Sequence, residues 1–188
     1  SNVYKIIEKI PNEKIYFLPD KLMGENVIQH LKSRGVKKSI ELWDGTCYVH
    51  EEYDPDLVNY IRSQHPGVSV VSHPECHESI ISLSDFVGST SQMLEHVRNT
   101  KAPSYFMLTE CGLTSRLQLE DPKKAFVGSC TLCKYMKANN LDDILTALQE
   151  PRPESIIEID PRVAKEALDS ITAMFDYHKK SQSKKSQL

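Results

Sequence analysis

The sequence predicts an α/β fold in which a parallel sheet is covered by helices on both faces. Short β-type runs alternate with helical stretches of about 10–15 residues, which is the pattern of strand–helix–strand units. Of the 188 residues, 39% are apolar and 26% are charged, a balance that permits a sizeable core. The net charge of −3 argues against a general binder of nucleic acid or of anionic membranes. No apolar run approaches the roughly 20 residues of a membrane helix.

Local features of the sequence predict where several helices and strands begin or end. Gly35 is expected to end the first helix. Asp54 and Pro55 are expected as an N-cap and a first helical residue, and Pro66-Gly67 turns the chain into the next strand. The predicted strands are 14–18, 39–43, 68–72, 85–87, 104–109 and 155–159. The predicted helices are 22–34, 55–65, a short one at 80–81, 89–99, 114–120, 132–138, 141–149 and a long helix from 160.

Polar side chains follow four successive predicted strands. They are His50, then His73 with Glu75, then Ser89 with Thr90, and finally Thr109 with Glu110. In open parallel sheets, chemistry collects just beyond the carboxyl ends of the strands. The order of these residues therefore predicts one site along one edge of the sheet.

The cysteines predict thiols that serve a metal or a reaction. Their number is five, which is odd, and the N-terminus shows no secretory signal, so we expect an intracellular protein without a disulfide framework. Cys130-Thr-Leu-Cys133 stands at the predicted start of a helix, where the helix N-terminus stabilises thiolate for metal binding or redox work. Buried inert thiols are the alternative interpretation. Cys76 and Cys111 are expected to be ordinary thiols.

Three loops offer chemistry beside these thiols, and each has a plainer alternative. Cys47 and His50 can face one centre, or both can be structural. The imidazole and carboxylate of His73-Pro74-Glu75 can form an acid/base pair, or this segment is a surface loop. Ser89 and Thr90 open a helix whose N–H groups and hydroxyls suit a carboxylate or phosphate, or Ser89 is only a helix cap.

The end of the chain has a different character. Asp160-Pro161 is predicted to cap a long helix, and apolar residues from Val163 to Phe175 recur at helical spacing. This apolar face needs a partner surface. After His178 the sequence is polar and low in complexity, which predicts a solvated, disordered tail.

Taken together, these segments resemble the quinolinate synthase A (NadA) family. The match in order and spacing runs from Ser1 to about Tyr177. The motifs that carry it are Phe17-Leu-Pro-Asp20, Trp43-x-Gly-x-Cys47-x-Val-His50-Glu51, His73-Pro-Glu75, Val87-Gly-Ser-Thr90-Ser-Gln, Thr109-Glu110-x-Gly112 and Cys130-x-x-Cys133-x-x-Met136.

The resemblance implies an iron–sulfur enzyme of NAD biosynthesis. Members of that family condense iminoaspartate with dihydroxyacetone phosphate to quinolinate, with loss of phosphate and water. They are implied to be cytoplasmic, with L-aspartate oxidase as a possible upstream partner and no nucleic-acid or membrane partner. Three similar αβα domains surround one site, where three Cys, one from each domain, hold a [4Fe–4S] cluster. An open iron of that cluster acts as a Lewis acid in dehydration.

Carried over residue by residue, the resemblance assigns the cluster and the substrate site. Cys47 and Cys133 resemble the second and third cluster ligands, and Cys130 resembles an extra Cys found near the third ligand. The substrate-binding residues implied are His73, Pro74, Glu75, Ser89 and Thr90, with Glu75 as general base, His73 as a further catalytic residue and His50 as a catalytic residue beside the cluster.

The resemblance also implies a domain organisation. The fold class is three-layer αβα domains with short parallel sheets, of which this chain represents about one and a half of three plus a C-terminal helix. Residues 1–46 form the C-terminal part of the middle domain, residues 47–159 the complete third domain, and residues 160–188 a helix and tail that dock on an absent first domain. The missing domain is supplied in cis or in trans, and the chain alone is expected to be inactive or weak.

Two other functions stay open on the sequence alone. One is a non-catalytic metal-binding or scaffold protein that keeps the fold but not the reaction. The other is a zinc-dependent thiol protein, which gives no role to the His-Pro-Glu and Gly-Ser-Thr loops.

Overall fold

The computed structural model describes the backbone of residues 2–182 and the side chains of residues 2–177, and it is an α/β fold with short parallel sheets, as predicted. The strands are β1 (Lys14–Phe17), β2 (Ser39–Leu42), β3 (Ser69–Ser72), β4 (Phe86–Val87) and β5 (Tyr105–Leu108). The α-helices are α1 (Val3–Lys9), α2 (Lys21–Ser33), α3 (Tyr48–Glu51), α4 (Pro55–Gln64), α5 (Glu78–Ser82), α6 (Thr90–Asn99), α7 (Cys111–Glu120), α8 (Leu141–Gln149) and α9 (Pro161–Gln182).

The chain divides into two compact units, which we describe separately. Residues 12–133 form the first unit and carry both sheets. Residues 2–11 and the chain from Lys134 onward form the second unit, which is helical in the described part.

The first sheet is the parallel pair β1–β2, joined by α2. The helix begins where Asp20 accepts a hydrogen bond from the Met23 amide at 2.7 Å, as an N-cap residue does. Val27 and Leu31 are the residues with which α2 faces the interior. The chain leaves the helix through Gly35, whose φ of +68° is a left-handed conformation that glycine adopts without strain.

The second sheet has the order β4-β3-β5, with every pair parallel. Adjacent residues of its central strands face opposite sides, so Val70 and Phe106 pack against α4 and α5, whereas Val71 and Met107 pack against α6 and α7. All four residues of β5 are buried. This three-layer arrangement explains why β5 is a continuous apolar run.

The second unit exposes most of its apolar side chains. Its helix α1 contacts α9 and buries Ile7. Between Lys134 and Tyr177, by contrast, no described side chain is buried. The described helices include none that is both long and apolar enough to cross a membrane.

Two predicted elements are wrong. One begins at the end of the first unit, and the other lies in the second unit. The strand predicted at 155–159 is an irregular segment after a 3₁₀ turn at Pro153–Ser155, and among the described residues no strand lies beside it. The helix predicted at 132–138 is reduced to a 3₁₀ turn at Met136–Ala138. Thr131 instead forms a parallel bridge with Glu110, so Cys130 and Cys133 lie on extended chain and not at a helix N-terminus.

The expectation of a protein without disulfides is also wrong, and with it the expectation that Cys111 is an ordinary thiol. Cys111 and Cys130 form a disulfide, with Cα atoms 5.2 Å apart. The reason is the bridge beside them: the Cys111 amide donates to the Thr131 carbonyl at 3.2 Å, which brings the start of α7 alongside the segment that leads to Cys133. Spacing along the chain could not reveal this pairing, because it depends on a contact across the sheet edge.

The predicted tail is described only in part. The helix α9 continues to Gln182, beyond the point after His178 where a tail was predicted. Residues 183–188 lie outside the described residues.

Candidate active site

Three strand ends deliver the polar side chains that the sequence singled out. Cys47 follows β2 and is the N-cap residue of α3, and His50 lies within that one-turn helix. Glu75 comes from the loop after β3, and Thr109 follows β5 directly. Because the strands within each sheet are parallel, their carboxyl ends open toward the same side.

Cys47, His50 and Glu75 converge on one point. The Cys47 Sγ, a ring nitrogen of His50 and a carboxylate oxygen of Glu75 all lie within 4.8 Å of one another. His50 Nδ1 is 3.0 Å from Glu75 Oε2, with side-chain exposures of 9% and 24%. A nearly buried imidazole therefore meets a carboxylate that solvent and small molecules can still reach.

His73 lies against the same pair. Its ring stacks on that of His50 with centroids 4.7 Å apart, and its Nδ1 is 3.6 Å from Glu75 Oε2. Burial, with a further contribution from His50, lowers the pKa of His73 to about 4, although Glu75 opposes the shift. His73 is therefore neutral near pH 7 and can accept as well as donate a hydrogen bond.

The Glu75 carboxyl is ionised at neutral pH. Its contact with His50 lowers its pKa, and the nearby His73 acts in the same direction, while burial opposes both. Despite the short distance to Glu75, Nδ1 of His50 has no well-aligned hydrogen-bond partner among the described residues. Nδ1 instead faces the Glu75 carboxylate, in an ion-pair contact.

Two residues on the other side of His50 extend the site. His50 Nε2 is 3.5 Å from the Thr109 hydroxyl, and Tyr53 donates a hydrogen bond to the Thr109 carbonyl at 2.6 Å. Both Thr109 and Tyr53 are buried. Sequence reasoning placed Thr109 at the sheet edge but missed Tyr53, because a Tyr between two helices carries no pattern that links it to a strand end.

Cys133 contributes to the electrostatic environment of the Cys47 thiol. Burial raises the pKa of the Cys47 thiol, and Glu75 and Cys133 raise it further against the backbone amides of Val49 and His50. The segment before Cys133 is anchored by a hydrogen bond of 3.0 Å from the Tyr48 hydroxyl to the Leu132 carbonyl. Cys47 and Cys133 are both free and only half-buried.

Cys76 is a different kind of thiol. It is buried, it contacts the Leu108 carbonyl at 3.6 Å, and burial raises its pKa to about 12. It stays protonated at neutral pH and is unsuited to metal binding, which requires thiolate. This agrees with the expectation of an ordinary thiol.

The loop that carries Glu75 is fixed from the first sheet. Asn26, on α2, donates from its amide nitrogen to the Pro74 carbonyl at 2.9 Å and to the Cys76 carbonyl at 2.8 Å. Pro74 itself is buried. Asn26 was not singled out by sequence reasoning, because its partners lie about fifty positions away along the chain.

Ser89 and Thr90 stand at the carboxyl end of β4, next to β3. Ser89 caps α6, and its hydroxyl and amide are both bonded to the Gln92 side chain at 3.0 and 2.9 Å. Thr90 is exposed at the first position of that helix. The structure thus gives Ser89 the capping role and leaves Thr90 exposed beside it.

The donor set fits a cluster ligated by thiolates better than it fits a hard cation. Cys47 and Cys133 are both half-buried free thiols, and thiolates are the usual protein ligands of iron–sulfur clusters. One ring nitrogen of His50 lies within 4.8 Å of the Cys47 sulfur. A site for Mg²⁺ or Ca²⁺ would instead gather several oxygen ligands.

Comparison with known proteins identifies relatives over almost the whole chain. The model of the family described as NadA, quinolinate synthetase A protein, matches residues 1–176. Quinolinate synthase 2 of Mesorhizobium japonicum is 33% identical over 175 residues, covering 92% of this chain and 51% of the relative. Quinolinate synthase of Geobacter metallireducens is 33% identical over 177 residues, covering 93% and 57%. The chain spans about half the length of the curated relatives it matches.

Proposed function

We propose that this chain, which belongs to the quinolinate synthetase A family, is the cluster-binding and acid/base part of a quinolinate synthase. The reaction is the condensation of iminoaspartate with dihydroxyacetone phosphate to quinolinate, in the cytoplasm. The observation that carries the proposal is the convergence of Cys47, His50 and Glu75 within 4.8 Å. The free, half-buried thiol of Cys133 supports it, because a cluster needs more than one thiolate.

In this proposal Cys47 and Cys133 hold two irons of a [4Fe–4S] cluster, and a third Cys comes from outside the chain. When bound, the cluster supplies an open iron that acts as a Lewis acid on a substrate oxygen or nitrogen. Half-buried thiols suit this task, since the site must admit substrate on one side and exclude bulk water on the other.

Glu75 is the proposed general base. Its carboxylate is ionised and a quarter exposed, so it can reach and accept a proton from a bound substrate carbon or hydroxyl. His50 lies between Glu75 and the Thr109 hydroxyl. With its proton on Nδ1, the imidazole stabilises the carboxylate and leaves Nε2 to accept from Thr109. Neutral His73, stacked on His50, keeps hydrogen-bonding capacity for the substrate.

The substrates carry carboxylate and phosphate groups, and we assign these to the start of α6. The first N–H groups of this ten-residue helix and the Ser89 and Thr90 hydroxyls can receive an anion there. Ser89 would have to give up its bond to Gln92 to contribute its hydroxyl, whereas Thr90 is already exposed.

We assign the apolar face of α9 to contact with the part of a quinolinate synthase that lies outside the matched region. Leu168 and Phe175 are 62% and 54% exposed, and Ile171 between them is 48% exposed. Because the relatives are about twice as long as the matched region, their remaining part is the proposed partner of this face, in cis or in trans. The division into 1–46, 47–159 and 160–188 remains part of this proposal.

The test of cluster binding uses the 188-residue chain, purified anaerobically and supplied with iron and sulfide. Cys133→Ser should lose most of the bound iron and sulfide. The double variant Cys111→Ser/Cys130→Ser, which removes the disulfide without leaving a new free thiol and keeps both proposed ligands, is the control and should retain them. Equal iron content in Cys133→Ser and wild-type protein would refute the assignment of Cys133.

The test of catalysis uses a fusion of this chain to the part of Quinolinate synthase 2 of Mesorhizobium japonicum that the match leaves uncovered. Glu75→Gln should keep the cluster spectrum but lower turnover about 10²-fold or more, the usual size of a general-base effect. Glu78→Gln, an exposed carboxylate on α5, is the control. The chain alone is expected to show little or no quinolinate formation.

A mononuclear zinc site is the second candidate, and one observation favours it. Cys47, His50 and Glu75 form a Cys/His/Glu set within 4.8 Å, which is a donor combination that zinc accepts. Metal analysis distinguishes the two: one zinc without sulfide supports this candidate, and iron with equivalent sulfide supports the cluster.

A further inference from the structure

The turn between β1 and α2 carries a buried carboxylate whose two oxygens face different elements. Asp20 is 5% exposed. Its Oδ1 accepts from the Met23 amide at 2.7 Å and caps α2, whereas its Oδ2 accepts from the Cys47 amide at 3.1 Å. One side chain thus joins a helix N-terminus to the residue that begins α3.

The same turn contacts the loop between β2 and Cys47 (the Cys47 loop) at two further points. The Lys21 amide donates to the Gly45 carbonyl at 2.8 Å, and the Lys21 ammonium is 2.9 Å from Asp44 Oδ1. The ion pair is exposed, so it contributes little. The Asp20 bond is made to Cys47 itself, by a side chain that is 5% exposed.

We propose that Asp20 is a positioning residue for Cys47, fixing the peptide of this Cys so that its sulfur faces Cys133 and Glu75. The proposal rests on the proposed function in so far as Cys47 is a cluster ligand. Cys47 is the first residue before a single-turn helix, and its own side chain makes no capping hydrogen bond. Its backbone is therefore held from outside, and Asp20 is the side chain that holds it.

The burial of Asp20 gives the interaction its strength. A charged acceptor forms shorter and stronger hydrogen bonds than a neutral one, and water does not compete for a carboxylate that is almost wholly enclosed. Burying this charge has a cost and raises the pKa of Asp20, and the two N–H donors and the N-terminus of the thirteen-residue α2 offset that cost in part. Helix capping alone does not require a buried carboxylate, since Asp54 caps α4 and is exposed.

The decisive variant is Asp20→Asn. Asn is as good an N-cap as Asp, so its Oδ1 can keep the Met23 amide, but its NH₂ group then faces the Cys47 amide and the tether is lost. Asp54→Asn makes the same chemical change at a cap that contacts no part of the Cys47 loop, and it is the matched control.

The first measurement is amide hydrogen exchange by NMR on the 188-residue chain without metal. In Asp20→Asn, the Cys47 amide should exchange about fivefold to tenfold faster, the change expected for one lost hydrogen bond, and the Met23 amide should change little. The second measurement is loss of iron to a chelator after anaerobic loading, which should be about fivefold faster than in wild-type protein or in Asp54→Asn.

Each outcome decides the proposal. Unchanged exchange at Cys47 in Asp20→Asn overturns it, as does faster exchange at Cys47 with unchanged iron loss. Faster exchange at Met23 as well as at Cys47 assigns the effect to helix capping and also overturns it. A wild-type chain that takes up no iron refutes the proposed cluster instead, and a faster Cys47 exchange in Asp20→Asn then still supports the positioning of the Cys47 peptide.

Discussion

The two units of this protein use apolar residues in opposite ways. In residues 12–133, β3 and β5 are buried on both faces, and side chains such as Val70 and Phe106 are fully enclosed. In the described part from Lys134 onward, helices with equally regular apolar spacing leave their side chains exposed, as Leu148 does at 78%. Apolar periodicity therefore predicts a helix in both units, but it does not show whether the apolar face of that helix packs against a core within its own unit.

The largest expected effect tests this difference directly. Phe106→Ala should lower the free energy of unfolding of the first unit by about 3–5 kcal/mol, because it removes a buried ring and leaves a cavity. Leu148→Ala, its counterpart on exposed α8, should change it by less than about 0.5 kcal/mol. Urea unfolding monitored by the fluorescence of Trp43, the single Trp of the chain, measures both. Similar losses from the two substitutions would show that α8 is packed in solution.

A second comparison lies within the first unit, between two glycines with positive φ. At Gly128, φ is +85° and an added Cβ would clash with the Phe106 ring, whereas at Gly35, φ is +68° and nothing lies within 4 Å. Gly35→Ala should cost about 1 kcal/mol from the backbone conformation alone. Gly128→Ala should cost about 1–3 kcal/mol more, because the ring cannot move within a filled core. Equal Trp43 unfolding curves for the two variants would contradict this.

Two helix caps provide a smaller contrast between the units. Asp54 accepts from the Asp56 amide at 2.8 Å and caps α4, and Asn140 accepts from the Asp143 amide at 2.9 Å and caps α8. Asp54→Ala should lower the free energy of unfolding of the first unit by about 1 kcal/mol. Asn140→Ala should reduce helicity, measured by circular dichroism, and leave the Trp43 transition unchanged. A shifted Trp43 transition in Asn140→Ala would mean that the units unfold together.

The smallest effect concerns an ion pair between α6 and α7. Arg98 is 2.6 Å from Glu120 Oε2, and hydrogen bonds from Arg98 and Arg116 lower the pKa of Glu120. A lowered pKa in the folded state gives stability that is present above the unfolded-state pKa and is lost as the pH falls through the folded-state value. Glu120→Gln should therefore lower Tm by about 2 °C or less at pH 7. The difference should vanish in strongly acidic buffer, and a difference that persists there would exclude this ion pair as its cause.

Much of the fold follows from local sequence, and particular residues show where prediction stops. The first five predicted strands are present, and Asp54-Pro55 and Gly35 mark helix ends as expected. The strand predicted at 155–159 failed because its β-branched residues have no neighbouring strand among the described residues. A segment with high β propensity forms a strand only where it can pair with another strand.

The candidate site was predicted as a set of residues, but not as a set of contacts. His50, His73 and Glu75 were identified by type and by a family resemblance, and the structure brings them together. The support from Asp20 and Tyr53, and the pairing of Cys111 with Cys130, depend on contacts between distant segments. Periodicity and capping rules describe residues that are near one another in the chain, so they cannot predict contacts between distant segments.

The two hydrogen bonds of Asn26 have a consequence for building hybrid enzymes. Its amide links a helix of the first sheet to the backbone on either side of Glu75. A crossover between homologous sequences placed from residue 27 to residue 73 would separate this amide from the loop it orders. Recombination points before Asn12 or after Cys133, at the boundaries of the first unit, keep donor and acceptors from the same parent.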